Sequence, residues 1–156
     1  MAARSSGILM YRRDGDEVAV LLVHPGGPFW AKKDVGAWSI PKGEYLEGDD
    51  PEIVARHEFE EELGMRLDAE LIPLGELVQK GGKHVRAFAA KGDFDVSALA
   101  SNTFDLEWPP RSGRTQVFPE VDRADWFAVQ EARTRILASQ LPFLDRLEEL
   151  LSGPPA

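Results

Sequence analysis

The pattern of apolar and polar positions divides the chain into strands first and helices last. SGILMYRR (residues 6–13) and EVAVLLVHP (17–25) are apolar, β-branched runs of the kind buried on both faces of a sheet. Asp14-Gly15-Asp16 between them is a tight-turn signal, so the two runs predict a hairpin. Residues 26–36 read as a loop, and residues 37–43 as a short strand broken by a proline. Pro51 suits a first helical turn capped by Asp49 or Asp50. A helix is predicted over Pro51–Leu63, stopping at Gly64, a natural residue for a left-handed C-terminal position. Residues 69–80 and 83–92 predict two strands around the turn Gly81-Gly82. Residues 93–113 are polar, proline-rich and aperiodic, and read as one long loop. One or two short strands are expected over 115–129 and helices over 130–140 and 142–151, with Phe143, Leu147 and Leu150 on one stripe. This order predicts an α/β fold: a mixed central sheet covered by helices on both faces. Residues 1–151 are expected to form a single domain, with 152–156 as a tail.

Composition narrows the possible functions. A chain of 156 residues suits one hydrophobic core. The absence of cysteine excludes disulfides, thiolate metal sites and a cysteine nucleophile. No apolar run approaches the roughly 20 residues that span a bilayer. The apolar patch at 7–11 runs straight into arginines and reads as a first strand, so a cytoplasmic protein without membrane contact is expected. The net charge of -9 argues against a binder of polymeric nucleic acid. An acidic protein still binds phosphates when it recruits a cation.

The helix carries the strongest chemical signal. With about 100° per residue, Glu58, Glu61 and Glu62 fall within roughly 100° of arc, while Glu60 points away. Like charges at that spacing repel by a few tenths of a kcal/mol per pair. Acidic helical runs often mark nothing more than a solvated face. Three carboxylates converging on one patch also make a site for Mg2+ or Mn2+, which prefer oxygen ligands.

Read from Gly43, GEYLEGDDPEIVARHEFEEELGM (residues 43–65) resembles the Nudix box. That pattern is Gly, five residues, Glu, seven residues, Arg-Glu-apolar, one residue, Glu-Glu, one residue, Gly-apolar. Gly43, Glu58, Phe59, Glu61, Glu62, Gly64 and Met65 match, while Asp49 replaces Glu and His57 replaces Arg. The preceding WSIPKG is similar to the lead-in of many Nudix hydrolases. The resemblance implies an α/β/α sandwich that hydrolyses a phosphoanhydride in a nucleoside diphosphate linked to another group. A nucleoside triphosphate or a dinucleoside polyphosphate is the expected substrate, with Mg2+ or Mn2+ as cofactor.

It further implies metal ligation by Glu58, Glu61, Glu62 and the Gly43 carbonyl. A carboxylate from outside the box would add a ligand or accept the proton of the attacking water. Glu120 is the leading candidate for that role, Glu107 its rival, and Glu44 and Glu47 lesser ones. His57 is expected to bond Glu58 or the loop in place of the family's arginine. Lys42 is the leading candidate phosphate contact, with Lys32 and Lys33 after it, and Arg111, Arg114 and Trp108 are candidates for a lid over the substrate, Arg114 as a substrate contact. Trp30, Phe29 and Trp108 are aromatic candidates for stacking on a base, although core packing explains such residues equally. His24 and His84 read as structural. A small-molecule nucleotide or polyphosphate is the expected partner, bound by a monomer or homodimer. The two departures leave open a catalytically weak or inactive nucleotide-binding module.

Overall fold

Residues 4–79 and 81–152, the part of the chain this computed structural model describes, form eight strands and three α-helices. The strands are β1 (Arg4–Asp14), β2 (Glu17–Pro25), β3 (Lys42–Tyr45), β4 (Ile72–Val78), β5 (His84–Lys91), β6 (Thr103–Glu107), β7 (Thr115–Pro119) and β8 (Val121–Ala128). The helices are α1 (Pro51–Leu63), α2 (Val129–Arg135) and α3 (Leu141–Ser152). The main sheet runs β4-β5-β1-β2-β8, with β3 also on β1. Only the β1–β5 ladder within it is parallel, so the sheet is mixed. A separate two-stranded sheet pairs β6 with β7.

Because side chains alternate along a strand, β1 and β2 feed two cores at once. Ile8, Met10, Leu21 and Val23 pack on Ala55, Phe59 and Leu63 of α1. Leu9, Tyr11, Val20 and Leu22 pack on the other face, with Phe143, Leu144 and Leu147 of α3. The result is the expected α/β/α sandwich. Phe59 and Leu63 are fully buried, and each contributes about 2 kcal/mol by leaving water.

Helix α1 has the predicted bounds. Pro51 opens it, Asp50 caps it by accepting from the Glu52 N–H at 2.9 Å, and Gly64 ends it at φ 81°. Asp49 is not the cap. Its carboxylate accepts from the Leu46 N–H at 3.0 Å and closes the loop before the helix.

Several elements differ from expectation. The short strand expected over 37–43 starts instead at Lys42. Trp38 and Ser39 make only isolated bridges, to Ile136 and Val23. Pro41 has no N–H to extend a ladder, and its carbonyl accepts from Ile8 as the chain crosses from β2 to β1. One edge of β1 is thereby shared: residues 4–7 pair with β3, residues 11–14 with β2. The long loop expected over 93–113 contains β6, whose partner β7 lies beyond it. Leu150 is 38% exposed rather than buried, and Leu144 occupies the buried stripe in its place. Ser152, placed in the expected tail, closes α3; the rest of the tail, 153–156, and Lys80 of the expected fourth strand lie outside the described residues. No described helix is long and apolar enough to cross a membrane.

Candidate active site

The site starts where β3 runs across the last two turns of α1. A Cβ added at Gly43 would lie 2.0 Å from the carboxyl carbon of Glu58. Only glycine lets that carboxylate rest against the strand. One turn later, Glu62 Oε2 accepts from the Lys42 N–H at 2.8 Å. Glu61 sits between them in sequence but turns to His57, whose Nε2 lies 2.8 Å from its Oε1. His57 therefore serves Glu61, not Glu58 or the loop. Residues four apart share a helical face, whereas neighbours are about 100° apart.

Burial and mutual repulsion set the charge state. Glu58 titrates above the usual carboxylate range because it is desolvated and faces Glu61 and Glu120, with His57 opposing the shift. Glu62 is pushed up to about 8, chiefly by burial; the Lys42 N–H opposes this, and Glu58 and Glu120 add to it.

The donor set fits a hard divalent ion: every side-chain donor is a carboxylate oxygen, and the Gly43 surface leaves room for Glu58. Among the described residues no three His, Asp or Glu side chains already converge on one coordination point. Glu58, Glu62 and Glu120 nevertheless share one electrostatic field. Rotation about their side-chain bonds is what would close the set around an ion.

Glu120 reaches the site through backbone wiring. Its N–H donates to the Asn102 carbonyl at 2.8 Å, and the Asn102 N–H donates to the Glu61 carbonyl at 2.9 Å. On its other side, the Glu120 carbonyl accepts from the Gly26 N–H at 2.9 Å. A Cβ at Gly26 would meet the Pro119 carbonyl oxygen at 1.9 Å, so the two segments touch backbone to backbone. Glu107 is exposed on β6 and does not line the cleft.

The cleft has a volume of about 220 Å³. Lys42, Glu62 and Glu120 give it a charged end, while Val23, Trp30, Ile40, Val121 and Leu137 form apolar walls. A cleft of about 400 Å³ between the β1–β2 turn and the end of α3 carries Arg13, Asp16, Glu17 and Glu148, all of them exposed.

Lys42 titrates below the usual lysine range, first because it is desolvated and next because Lys83 adjoins it. Lys83 comes from the Gly81-Gly82 turn, and its Nζ lies 3.6 Å from Glu44. Its spacing from the box hid it from sequence reasoning; the lysine-glycine-glycine-lysine turn was the available signal. Lys32 and Arg114 are exposed and outside the cleft lining. Lys33 sits over the Trp30 ring at 5.1 Å. Phe29 and Trp108 pack edge to face at 5.3 Å, which holds the 26–36 loop against the β6–β7 hairpin.

A family model described as the NUDIX domain matches residues 1–147. A binary complex of a Caenorhabditis elegans Ap4A hydrolase superposes with a TM-score of 0.66 at 20% identity, covering 96% of this chain and 99% of that one. A mutT/nudix family protein from Listeria innocua gives 0.64 at 19%, covering 96% and 94%. The NUDIX domain of Shewanella oneidensis NrtR, complexed with ADP ribose, gives 0.65 at 13%, covering 97% and 89%. No curated protein matches the sequence.

Proposed function

The chain belongs to the NUDIX family, and on that premise we propose that it is a metal-dependent pyrophosphohydrolase acting on a nucleoside triphosphate or a dinucleoside polyphosphate. The observation that carries this reading is the meeting of desolvated Glu62 with Glu120 and Lys42 at one end of an apolar cleft, with Glu58 in the electrostatic field of both carboxylates. Two neighbours complexed with, or named for, nucleotides support it: an Ap4A hydrolase and a domain holding ADP ribose.

A bound Mg2+ or Mn2+ would neutralise phosphate charge and lower the pKa of a bound water. The chain's own residues do the rest. Glu58, Glu61, Glu62 and the Gly43 carbonyl would hold the ion, and His57 restrains Glu61. Glu120 would complete the ligand set or take a proton from the attacking water. Lys42 would neutralise a phosphate at the charged end of the cleft, with Lys83 beside it; Lys32 and Arg114 would meet the substrate from outside the cleft. Trp30 offers an aromatic wall for a base. Cytoplasmic action on a small molecule, by a monomer or homodimer, completes the reading.

Phosphate release should be measured over a panel of nucleoside triphosphates, dinucleoside polyphosphates and nucleoside diphosphate sugars, with Mg2+ or Mn2+. Turnover of at least one, abolished by chelation and by Glu62→Gln, is the expected result. Binding without turnover across the panel would replace the enzyme with a nucleotide-binding module.

A further inference from the structure

His24 lies at the end of β2, wholly buried. Its Nδ1 is 2.7 Å from Oδ1 of Asp122, and its Nε2 is 2.6 Å from the Lys33 carbonyl oxygen. A carbonyl only accepts, so Nε2 carries a hydrogen. The contact between Nδ1 and a carboxylate oxygen requires a second hydrogen between those atoms. Both ring nitrogens are thus committed, and neither is free to ligate a metal or take a proton from water. The ring packs edge to face on buried Trp38 at 5.3 Å, which opposes its rotation.

The two partners belong to two separate segments of the cleft wall that faces α1. Lys33 closes the turn that carries Trp30, donating its N–H to the Trp30 carbonyl at 2.9 Å. Asp122 lies at the start of β8, directly beyond Glu120 and Val121. Trp30, Glu120 and Val121 all line the cleft. Arg123 adds to the clamp, 3.9 Å from Asp122 Oδ1 and 5.2 Å from the Trp38 ring.

We propose that His24 is a positioning residue for this cleft, tying the loop that carries Trp30 to the strand end that presents Glu120. It touches no substrate, and its role in turnover rests on the nucleotide reading above. Imidazole suits the task because it places donors on two edges of one rigid ring. Glutamine offers donors at one end only, and an apolar residue would leave the carbonyl and the carboxylate without partners.

The test compares wild type, His24→Gln and Asp122→Asn. Three quantities are read: amide hydrogen exchange, kcat/KM on the best nucleotide of the panel, and the low-field proton spectrum. Wild type should show slowly exchanging low-field imidazole protons, and Asp122→Asn should move the one on Nδ1 upfield while the one on Nε2 stays. In His24→Gln, exchange should rise together in residues 27–36 and 120–124 while β5 and α1 stay protected. Its kcat/KM per folded molecule should fall about tenfold or more, the usual scale for loss of a supporting hydrogen bond. Asp122→Asn keeps an acceptor and should fall between the two. Uniform loss of protection across the sheet, or unchanged kcat/KM per folded molecule, would make His24 an ordinary core residue and overturn the proposal. If wild type hydrolyses no nucleotide, the functional reading fails, while exchange and the low-field proton still decide whether the clamp exists. If His24→Gln does not fold, unchanged exchange at 27–36 in Asp122→Asn overturns the proposal.

Discussion

The two walls of the cleft are built by opposite means. The α1–β3 wall is local: one capped helix and the strand just before it supply Glu62 and Lys42 to the cleft, with Glu58 resting on Gly43 one turn earlier. The facing wall is assembled from the 26–36 loop, the β6–β7 hairpin and the β7–β8 junction. Its parts are joined by single long-range contacts such as Gly26 N–H to the Glu120 carbonyl and Phe29 to Trp108. A local wall can bear strained, charged side chains because its backbone is fixed by helix and ladder. An assembled wall spends its contacts on holding backbone segments together.

Two glycines turn that difference into the largest expected effects. In Gly43→Ala the new methyl meets the movable end of Glu58. The backbone should hold and the carboxylate should be displaced: activity falls on the order of 100-fold, with a melting temperature within a few degrees of wild type. In Gly26→Ala the methyl meets the backbone oxygen of Pro119, which cannot swing away. Stability should fall by about 2 kcal/mol or more, as overpacking does, read from urea unfolding. Equal behaviour of the two variants would erase the distinction between the walls.

The next effect is in pH. Glu62 titrates near 8 in the folded, metal-free protein against an ordinary 4.5, and Glu58 shifts the same way. The folded state therefore holds more protons than the unfolded chain between those values, so stability falls as pH rises through that window. The lowered carboxylates Asp34, Glu76 and Asp95 act below it. Metal-free protein should melt several degrees lower at pH 8 than at pH 5.5, and saturating Mg2+ should restore much of the difference. A flat profile over this range would mean that the α1 carboxylates are not strained.

The smallest effect concerns His57. Because it pairs with Glu61 from an exposed position, His57→Arg can keep that pair with a permanent charge. Turnover should stay within about threefold of wild type. A loss beyond tenfold in steady-state assays would show the site to be rebuilt around the imidazole.

The same contrast explains what could be read from the sequence. The bounds of α1 and its acidic face follow from cap, period and spacing within one short segment. The hairpin of β1 and β2 was equally local. β6 was hidden because the prolines around Trp108 masked the alternation of Phe104 and Leu106, and its partner lay beyond the polar turn. The start of β3 was misplaced because pairing switches between two neighbours at Pro41. Glu120 stood out as a candidate, but its wiring through Asn102 and Gly26 depends on contacts that no periodicity records. His24 read as structural, and its two acceptors come from a loop 9 residues on and a strand 98 residues on.

We propose that Glu58, Glu62 and Glu120 form a cation site whose charge is unbalanced until a metal arrives. Calorimetric titration of Mn2+ into metal-free protein at pH 7, repeated in buffers of different ionisation enthalpy, measures it directly. One saturable site should appear, releasing close to one proton per ion as Glu62 gives up its own, and Glu62→Gln should abolish that release and weaken binding. Saturable binding with no proton release, or release unchanged in Glu62→Gln, would contradict the account.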